Sequence, residues 1–255
     1  MKRILYILIF LVLHQGVTGQ NFYWSHRAPD EAEPVGYTSV SYGSIINDAI
    51  YRTDPIVDAI TIPSGTDLVI LSLYEYHGEP ITGAPTISNN TLTETLRPES
   101  VLDAFSAIQE MHSYYIINPT TGSQTLTIPK PTPSNQRYQL TFFETEGEFE
   151  YLGADTSNHL SDTIGKAVVI QNNVTNLVYF SVLAVRNYDL PRYSITDISQ
   201  TYNNINEGVG GGVIGFENGY KIVDATQSTS LIQKVKAIDH FQHLCQYIIF
   251  KVNAP

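Results

Sequence analysis

The sequence predicts an all-β fold built from antiparallel strands. Tyrosine (17) and phenylalanine (10) are abundant, methionine (2) is scarce, and charged residues make up only 15% of the 255 residues. Aromatic and β-branched side chains fit a pleated sheet, whereas solvent-facing helices need more Lys, Glu and Arg than this. Short apolar or alternating segments recur between turns rich in Gly, Pro and Asn, which is typical of a β-sandwich.

Residues 1–20 have the pattern of a secretory signal peptide. Lys2 and Arg3 precede an unbroken apolar run, Ile4–Leu13, and a short polar stretch follows as far as Gln20. A membrane-spanning helix needs about 20 apolar residues, so this run is too short to be one. The sequence therefore predicts an exported protein, secreted or held at the cell surface, with no transmembrane segment.

The charge of the chain limits its partners. It carries 14 basic and 25 acidic residues, a formal net charge of −11, and residues 21–255 hold 12 and 25 of these, a net charge of −13. Nucleic-acid phosphates and anionic lipids are bound by clusters of Lys and Arg, and none occurs here. The composition therefore argues against nucleic acid and membrane surfaces, and it favours solubility or the binding of a cation.

The predicted strands follow one another along most of the chain, each bounded by turn residues. In the first part of the chain they are 38–42, 59–62, 68–76, 91–96, 112–117, 124–128 and 137–143. In the second part they are 166–171, 177–186, 194–199, 212–216, 220–224, 231–237 and 244–252. Asn218 and Gly219 predict a tight hairpin between Phe216 and Tyr220, because this dipeptide suits a type I′ turn.

One segment fits a helix and a loop equally well. Pro98–Ser100 opens a stretch in which Val101, Leu102, Phe105 and Ile108 recur at helical spacing. A helix there spans about three turns and is stable only if it packs on the sheet. We therefore predict at most one or two short helices in the exported protein.

The remaining organisation is predicted to be simple. Residues 21–35 form an extended arm that contains Trp24, and residues 36–255 form one β-sandwich domain without a linker or an internal repeat. Cys245 is the only cysteine, so no intrachain disulfide forms. It lies in the apolar run 244–250 and is predicted to be a buried core thiol rather than a reactive one.

Two strands, 68–76 and 177–186, are apolar or aromatic on both faces. A lone antiparallel sandwich leaves one polar face per strand. Either these are central strands whose outer faces are covered by the arm or the helix, or their outer faces pack against another subunit or a ligand. On the second interpretation, the partner surface consists of Trp24, Tyr74, Tyr76 and Tyr179.

Three framework features resemble a β-sandwich domain that is common in large bacterial surface and secreted proteins and in some phage structural proteins. A Ser64–Thr66 turn leads into an apolar strand, a Pro-x-Thr-Gly turn at 119–122 leads into the alternating strand 124–128, and the last strand, 247–252, is again apolar. The resemblance covers about residues 36–255. It implies a jelly-roll-like, lectin-type sandwich and supplies no catalytic residues.

Alternating carboxylates are the first candidate for chemistry. Glu144, Glu146, Glu148 and Glu150 lie on one face if this segment is a strand, with neighbours about 7 Å apart. Glycoside hydrolases use carboxylate pairs about 5–9.5 Å apart. Gly147 interrupts the strand, however, so we predict a solvated acidic hairpin end and keep hydrolysis by Glu144 and Glu146 as the least favoured alternative.

Metal binding is the second candidate. Asp155, Ser157, Asn158 and Asp162 form an oxygen-rich segment that, as a loop, suits Ca²⁺ in an acidic exported protein. The set Asp239, His240, His243 and Cys245 offers zinc ligands, but residues three apart on a strand point to opposite faces. Calcium is therefore the only metal that we carry forward as a hypothesis.

No catalytic motif accompanies these features. The sequence contains neither a Gly-x-Ser-x-Gly elbow nor a His-Glu-x-x-His helix. The leading hypothesis is therefore a non-catalytic interaction or structural module of a cell surface or extracellular assembly, with protein or its own copies as partner. The alternative is a carbohydrate-binding module, with or without calcium.

Overall fold

The structure, a computed structural model, describes a defined subset of the chain. The described residues are 40–48, 51–52, 55–77, 83–96, 101–102, 108–129, 134–159, 163–168, 171, 173–186, 193–196, 200–205, 213–223, 231–237 and 242–255. They belong to one compact unit, Val35–Pro255. Every regular element among them is a β-strand, and every strand pair is antiparallel. The predicted all-β antiparallel sandwich is confirmed. Within these residues, no helix has the length and apolar character needed to span a membrane.

Among the described residues, the first part of the chain contributes ten strands. They are β1 (Val40–Asp48), β2 (Tyr51–Arg52), β3 (Ile56–Ile62), β4 (Leu68–His77), β5 (Thr86–Ile87), β6 (Thr93–Glu94), β7 (Val101–Leu102), β8 (Ile108–Ile117), β9 (Gly122–Ile128) and β10 (Ser134–Thr145). The second part contributes eight. They are β11 (Glu148–His159), β12 (Thr163–Val168), β13 (Thr175–Arg186), β14 (Tyr193–Thr196), β15 (Gln200–Ile205), β16 (Val213–Val223), β17 (Leu231–Ala237) and β18 (Gln242–Asn253).

The strands form four sheets. Sheet I has the order β1-β10-β4-β8-β6, with the short strands β2 and β7 paired to β10 and β8, and sheet II has the order β3-β9-β5. Sheet III has the order β11-β18-β13-β16-β15, and sheet IV has the order β12-β17-β14. Sheets I and II thus use strands from the first part of the chain only, and sheets III and IV use strands from the second part only.

The same connectivity occurs in both halves of the chain. If β2 and β7 are set aside, each half has eight strands in the part of the chain that the structure describes. When the remaining strands are numbered from first to eighth within each half, the larger sheet has the order first, eighth, third, sixth, fifth. The smaller sheet has the order second, seventh, fourth. The two halves meet at Glu146 and Gly147, which connect β10 in sheet I to β11 in sheet III.

An apolar core fills the space between sheets I and II. On β3 the alternation is regular, because Ile56, Ile60 and Ile62 are buried while Val57 and Ala59 face solvent. The core members from sheet I are Val69, Leu71, Leu73, Tyr114, Ile116, Tyr138, Leu140 and Phe142, and those from sheet II include Ile87, Leu126 and Ile128. This period-two pattern is the sequence signal that predicted the strands.

The opposite face of sheet I packs on sheet III. Leu68 and Ile70 of β4 and Phe143 of β10 form a second apolar cluster with sheet III residues, among them Leu177 and Tyr179 of β13. Sheet I is therefore covered on both faces. Sheet III is also buried on both faces, because Val178 and Phe180 of β13 belong to a third cluster with Val223, Tyr247 and Ile249. This explains why both predicted strands are apolar throughout.

Two local predictions are settled by these strands. The hairpin at Asn218 and Gly219 is wrong, because β16 runs straight through both residues and Asn218 pairs with Ser181 in the middle of the sheet. Cys245 is confirmed as a buried core thiol. Within the segment considered for a helix, Val101 and Leu102 form a strand, and residues 98–100 and 103–107 lie outside the described residues.

Candidate functional site

The layer between sheets I and III contains a buried row of polar side chains. In sheet I, Ser72 pairs with Gln139 of β10 on one side and with Ser113 of β8 on the other. In sheet III, the same strand positions hold Ser181, paired with Gln246 and Asn218. All six side chains are at most 1% exposed. Polar groups buried this deeply require hydrogen-bond partners.

The two rows supply partners to each other across the layer. Ser72 Oγ lies 3.3 Å from Ser181 Oγ. Asn218 Nδ2 donates to Gln139 Oε1 at 2.6 Å, and Ser113 Oγ donates to Gln246 Oε1. Each bond joins one half of the chain to the other. The polar row therefore fixes how the two larger sheets are placed on each other.

The outer ends of the row differ between the halves. Gln246 Nε2 donates to Thr95 Oγ1 at 2.6 Å and to the carbonyl of Leu96. These acceptors lie at the end of β6, where Thr95 Oγ1 also donates to the Ser113 carbonyl. Gln139 Nε2, the corresponding donor in the first half, is buried without a partner among the described residues.

Two of the tyrosines predicted to form a partner surface lie in this layer. Tyr74 donates its hydroxyl proton to Asn218 Oδ1, and the Tyr179 hydroxyl lies 3.3 Å from Ser72 Oγ and 3.2 Å from Thr141 Oγ1. Both rings are at most 1% exposed. Burial raises the pKa of Tyr179 to about 12. Burial is also the main reason why the pKa of Tyr74 lies well above its usual value, and the nearby Tyr179 raises it further. Both phenols are neutral hydrogen-bonding groups inside the chain.

The structure describes less of Tyr76 and Trp24, the other two members of the predicted partner surface. Tyr76 lies in β4, where it pairs with Gln109 and Asn135, and its side chain is not described. Trp24 and the two segments predicted to be a signal peptide (1–20) and an extended arm (21–35) lie outside the described residues. The structure therefore brings Tyr74 and Tyr179 together, and it does so in the interior of the chain.

Aromatic pairs flank the polar row on one side. Phe143 of sheet I meets Tyr220 of sheet III edge to face, with ring centroids 5.2 Å apart. Tyr115 of sheet I meets Phe250 of sheet III in the same way at 5.4 Å. Such T-shaped pairs stabilise a core beyond the area that they bury.

The predicted acidic cluster is exposed and spread over a junction. Glu144 lies at the end of β10, Glu146 lies in the bend, and Glu148 and Glu150 lie in β11 in a different sheet. The Glu144 carboxylate lies against Gly65, which has a φ of +85°. Hydrogen bonds from Asn253 (3.3 Å) and Lys251 (3.2 Å), together with the charge of Lys251, lower the pKa of Glu150. The four glutamates thus do not share one strand face.

The predicted calcium ligands do not lie in a loop. Asp155, Ser157 and Asn158 all belong to β11, which pairs with β18 along its length, and Asp162 lies outside the described residues. The loop interpretation of 155–158 is wrong, because these residues complete the ladder with Tyr247, Cys245 and Leu244. In the part of the chain that the structure describes, no group of three His, Cys, Asp or Glu side chains is arranged to hold a metal.

A buried histidine between two carboxylates was missed by sequence reasoning. His112 of β8 is 1% exposed, and its Nδ1 and Nε2 lie 3.4 Å from Glu94 Oε1 and Glu110 Oε2. Its ring is parallel to that of Tyr114. Glu110 and His112 are two apart on one strand and therefore share a face. Glu94 joins them only through the pairing of β6 with β8, which the sequence does not reveal.

The outward side of sheet II is an exposed, uncharged surface, which we call the hydroxyl face. Its described side chains are Val57, Ala59, Thr61, Thr86, Ser123, Thr125 and Thr127. None of these is charged and none is aromatic. Val57, 60% exposed, is the most exposed of the large apolar side chains described. This face differs in character from the acidic chain as a whole.

Comparisons with known proteins identify no relative of this chain. No protein-family model matches this sequence, and neither a curated protein nor a solved structure is significantly similar to it. The fold itself defines the class: an all-β protein of antiparallel sheets packed face to face.

Proposed function

We propose that this chain is an exported, non-catalytic interaction or structural module of a cell surface or extracellular assembly, and that its hydroxyl face binds a second copy of the chain. The observation that carries this proposal is the uncharged, solvent-exposed outer side of sheet II on a chain with a net charge of −11.

Charge favours this face as the contact between copies. Two copies of a strongly acidic protein repel each other at most orientations. The described side chains of the hydroxyl face carry no charge that must be removed from water on contact. Small side chains such as Ala59, Ser123 and Thr125 also let two flat sheets approach closely, and Val57 adds apolar area.

The connectivity supports the same class of function. In each half, the larger sheet has the order first, eighth, third, sixth, fifth and the smaller has second, seventh, fourth, a connectivity similar to that of a jelly roll. Jelly rolls recur in viral capsid and lectin domains, where they serve as building blocks or binding scaffolds. This support is an analogy between folds and identifies no ligand.

The test measures self-association of the exported chain by size-exclusion chromatography with light scattering over a wide concentration range. We expect the measured mass of the wild-type chain to rise with concentration. The double variant Val57→Lys, Thr125→Lys should stay monomeric, because the two lysines of one copy then face and repel those of the other copy across the contact. Leu96→Lys is the matched control, since Leu96 is also an exposed apolar residue (53%) but lies outside sheet II. A wild-type chain that is monomeric at every concentration would contradict the proposal.

Carbohydrate binding is the second candidate, favoured by the analogy between this connectivity and the jelly rolls of lectin domains. The hydroxyl face offers Thr and Ser side chains as hydrogen-bond partners for sugar hydroxyls, but no described aromatic ring on which a sugar could stack. A glycan array read with and without EDTA tests both the sugar and the calcium hypotheses. Binding that the Val57→Lys, Thr125→Lys variant loses would place the glycan on this face, and no binding in either condition would leave self-association as the favoured hypothesis.

A further inference from the structure

We infer that the chain is a fused dimer. Residues 40–145 and 148–253 are two copies of one eight-stranded unit, and the face of each larger sheet that carries the polar row is a self-complementary surface whose partner is a second copy of the same unit. This inference concerns the layer between sheets I and III and does not depend on the hydroxyl face.

A short sequence repeat marks the third strand of each unit. Residues 66–72 read Thr-Asp-Leu-Val-Ile-Leu-Ser, and residues 175–181 read Thr-Asn-Leu-Val-Tyr-Phe-Ser. The spacing is 109 residues, the separation of Ser72 and Ser181. Thr66 and Thr175 are both buried; Thr66 lies two residues before β4, and Thr175 lies at the start of β13. Equivalent residues therefore occupy equivalent places in the fold.

The ladder registers extend this equivalence to the neighbouring strands. Leu68 pairs with Phe143 and Ile117, and Leu177 pairs with Phe250 and Ile222. The sequence therefore keeps the same residue types at these positions of both sheets, Leu between Phe and Ile.

The same registers carry the equivalence into the polar row. They relate Gln139 to Gln246, because these residues pair with the two equivalent serines. They relate Ser113 to Asn218 in the same way. The two polar rows are thus one row, present twice in the chain.

The contacts between the halves are reciprocal. Gln139 of the first unit bonds Asn218 of the second, and the equivalent pair with the units exchanged, Gln246 and Ser113, is also bonded. Ser72 and Ser181, which are each other's equivalents, bond directly. A surface on which residue i meets residue j and j meets i is an isologous one, made by a two-fold axis. Here that axis passes between the two serines.

The aromatic pairs obey the same exchange. Phe143 and Phe250 are equivalent by register, as are Tyr115 and Tyr220. The pairs Phe143–Tyr220 and Tyr115–Phe250 have interplanar angles of 82° and 79°. Two independent edge-to-face contacts with matching geometry are expected from a two-fold relation and not from an arbitrary stacking of two sheets.

The first and last residues of the two units also occupy equivalent positions. Val40 pairs with Thr145, and Glu148 pairs with Asn253, so each unit begins beside its own end. Glu146 and Gly147 alone connect the end of the first unit to the start of the second. A fusion of two copies at this place requires no rearrangement of either sheet.

The units have also diverged at the interface. Tyr179 of the second unit corresponds to Ile70 of the first, and the Tyr179 hydroxyl lies beside Thr141, whose own equivalent is Ile248. Tyr74, which bonds Asn218, corresponds to Leu183. Pairing of unlike units satisfies both tyrosines, so we expect it to predominate over pairing of like units.

The experiment inserts a site-specific protease sequence between Glu146 and Gly147 of the full chain, in the Val57→Lys, Thr125→Lys background so that the hydroxyl face does not contribute. After cleavage of the folded protein, native mass spectrometry should show a complex of the two halves. On incubation, or with one half in excess, species with two first halves or two second halves should appear. The melting temperature of the cleaved protein should also become concentration-dependent.

The matched control carries the same insertion between Thr120 and Thr121, in the exposed turn between β8 and β9 within one unit. Its fragments share sheets I and II, so like-with-like species should be absent. The inference is overturned if the chain cleaved at 146 yields only the unlike complex under every condition, if it loses its fold on cleavage, or if the control yields like-with-like species as readily.

Discussion

The two layers that cover sheet I hold it by different means. Toward sheet II, the buried side chains form one apolar cluster, and the Tyr138 hydroxyl donates to Asp58 Oδ2 at 2.8 Å. Toward sheet III, apolar and aromatic residues flank a row of buried Ser, Asn and Gln side chains that bond across the layer.

The difference separates stability from specificity. Apolar area stabilises a layer in rough proportion to its size and without regard to direction. Hydrogen bonds have direction, and an unmade one in the interior costs about 1–3 kcal/mol. The first layer therefore provides stability within a unit, whereas the second allows one register between two larger sheets and rejects others.

The largest expected effect follows from breaking the apolar layer. Phe142 is 1% exposed and lies in the cluster between sheets I and II. Phe142→Ala removes its contacts and leaves a cavity, which should lower the free energy of unfolding by about 3–5 kcal/mol. Urea denaturation followed by circular dichroism measures this. In contrast, Leu140→Met, of nearly equal volume in the same cluster, should cost less than about 1.5 kcal/mol.

The next effect tests the polar layer. Asn218→Leu keeps the volume of the side chain but removes the donor to Gln139 Oε1 and one acceptor of the Tyr74 hydroxyl, so two buried hydrogen bonds are lost. We expect a loss of about 2–4 kcal/mol by urea denaturation, since the unpaired Gln139 oxygen costs about 1–3 kcal/mol and the lost bond to Tyr74 about 1 kcal/mol more. A cost as small as that of Leu140→Met would mean that the polar row has no role in holding the two units in register.

A pH effect distinguishes the layers further. The pKa of Tyr179, raised by burial to about 12, exceeds that of an unfolded tyrosine, so the neutral phenol favours the folded state. This contribution is complete below about pH 10 and is lost as the pH rises toward 12, a total of about 2–3 kcal/mol. Unfolding free energies measured at pH 8, 10 and 11 should therefore fall more steeply in wild type than in Tyr179→Phe.

The control for this pH effect is Tyr115→Phe. Tyr115 is only partly buried, and although burial also raises its pKa, the shift is smaller. Tyr115→Phe should keep most of the fall in unfolding free energy that the wild type shows at alkaline pH. Equal pH profiles for wild type and Tyr179→Phe would contradict the assignment of the alkaline loss to the layer between sheets I and III.

The fold class was predictable because it depends on local pattern. Alternation in 56–62 and 122–128, and the two-sided apolar strands at 68–77 and 175–186, each follow from side-chain burial within one strand. The polar row was not predictable in this way. The role of a lone Ser in an apolar strand, such as Ser72, depends on partners 107 and 109 residues away in sequence.

The error at Asn218 has the same origin. Asn followed by Gly is a strong local turn signal, but here both residues continue a strand, and tertiary bonds to Gln139 and Tyr74 decide the conformation. The repeat at 66–72 and 175–181 could have been found from the sequence alone. A comparison of the chain with itself at a spacing of 109 residues reveals four identities in these seven positions. Its brevity, and the divergence elsewhere, concealed it.

The smallest expected effect lies outside both layers, at the acidic junction between the units. Glu146 is exposed in the bend that joins β10 to β11. Glu146→Gln should change the free energy of unfolding by no more than about 0.5 kcal/mol, because it breaks no buried contact. A loss comparable to that of Asn218→Leu would show that the connection between the units, and not the polar row, fixes their arrangement. If the sheets are held as their contacts indicate, the junction tolerates this change and the interior does not.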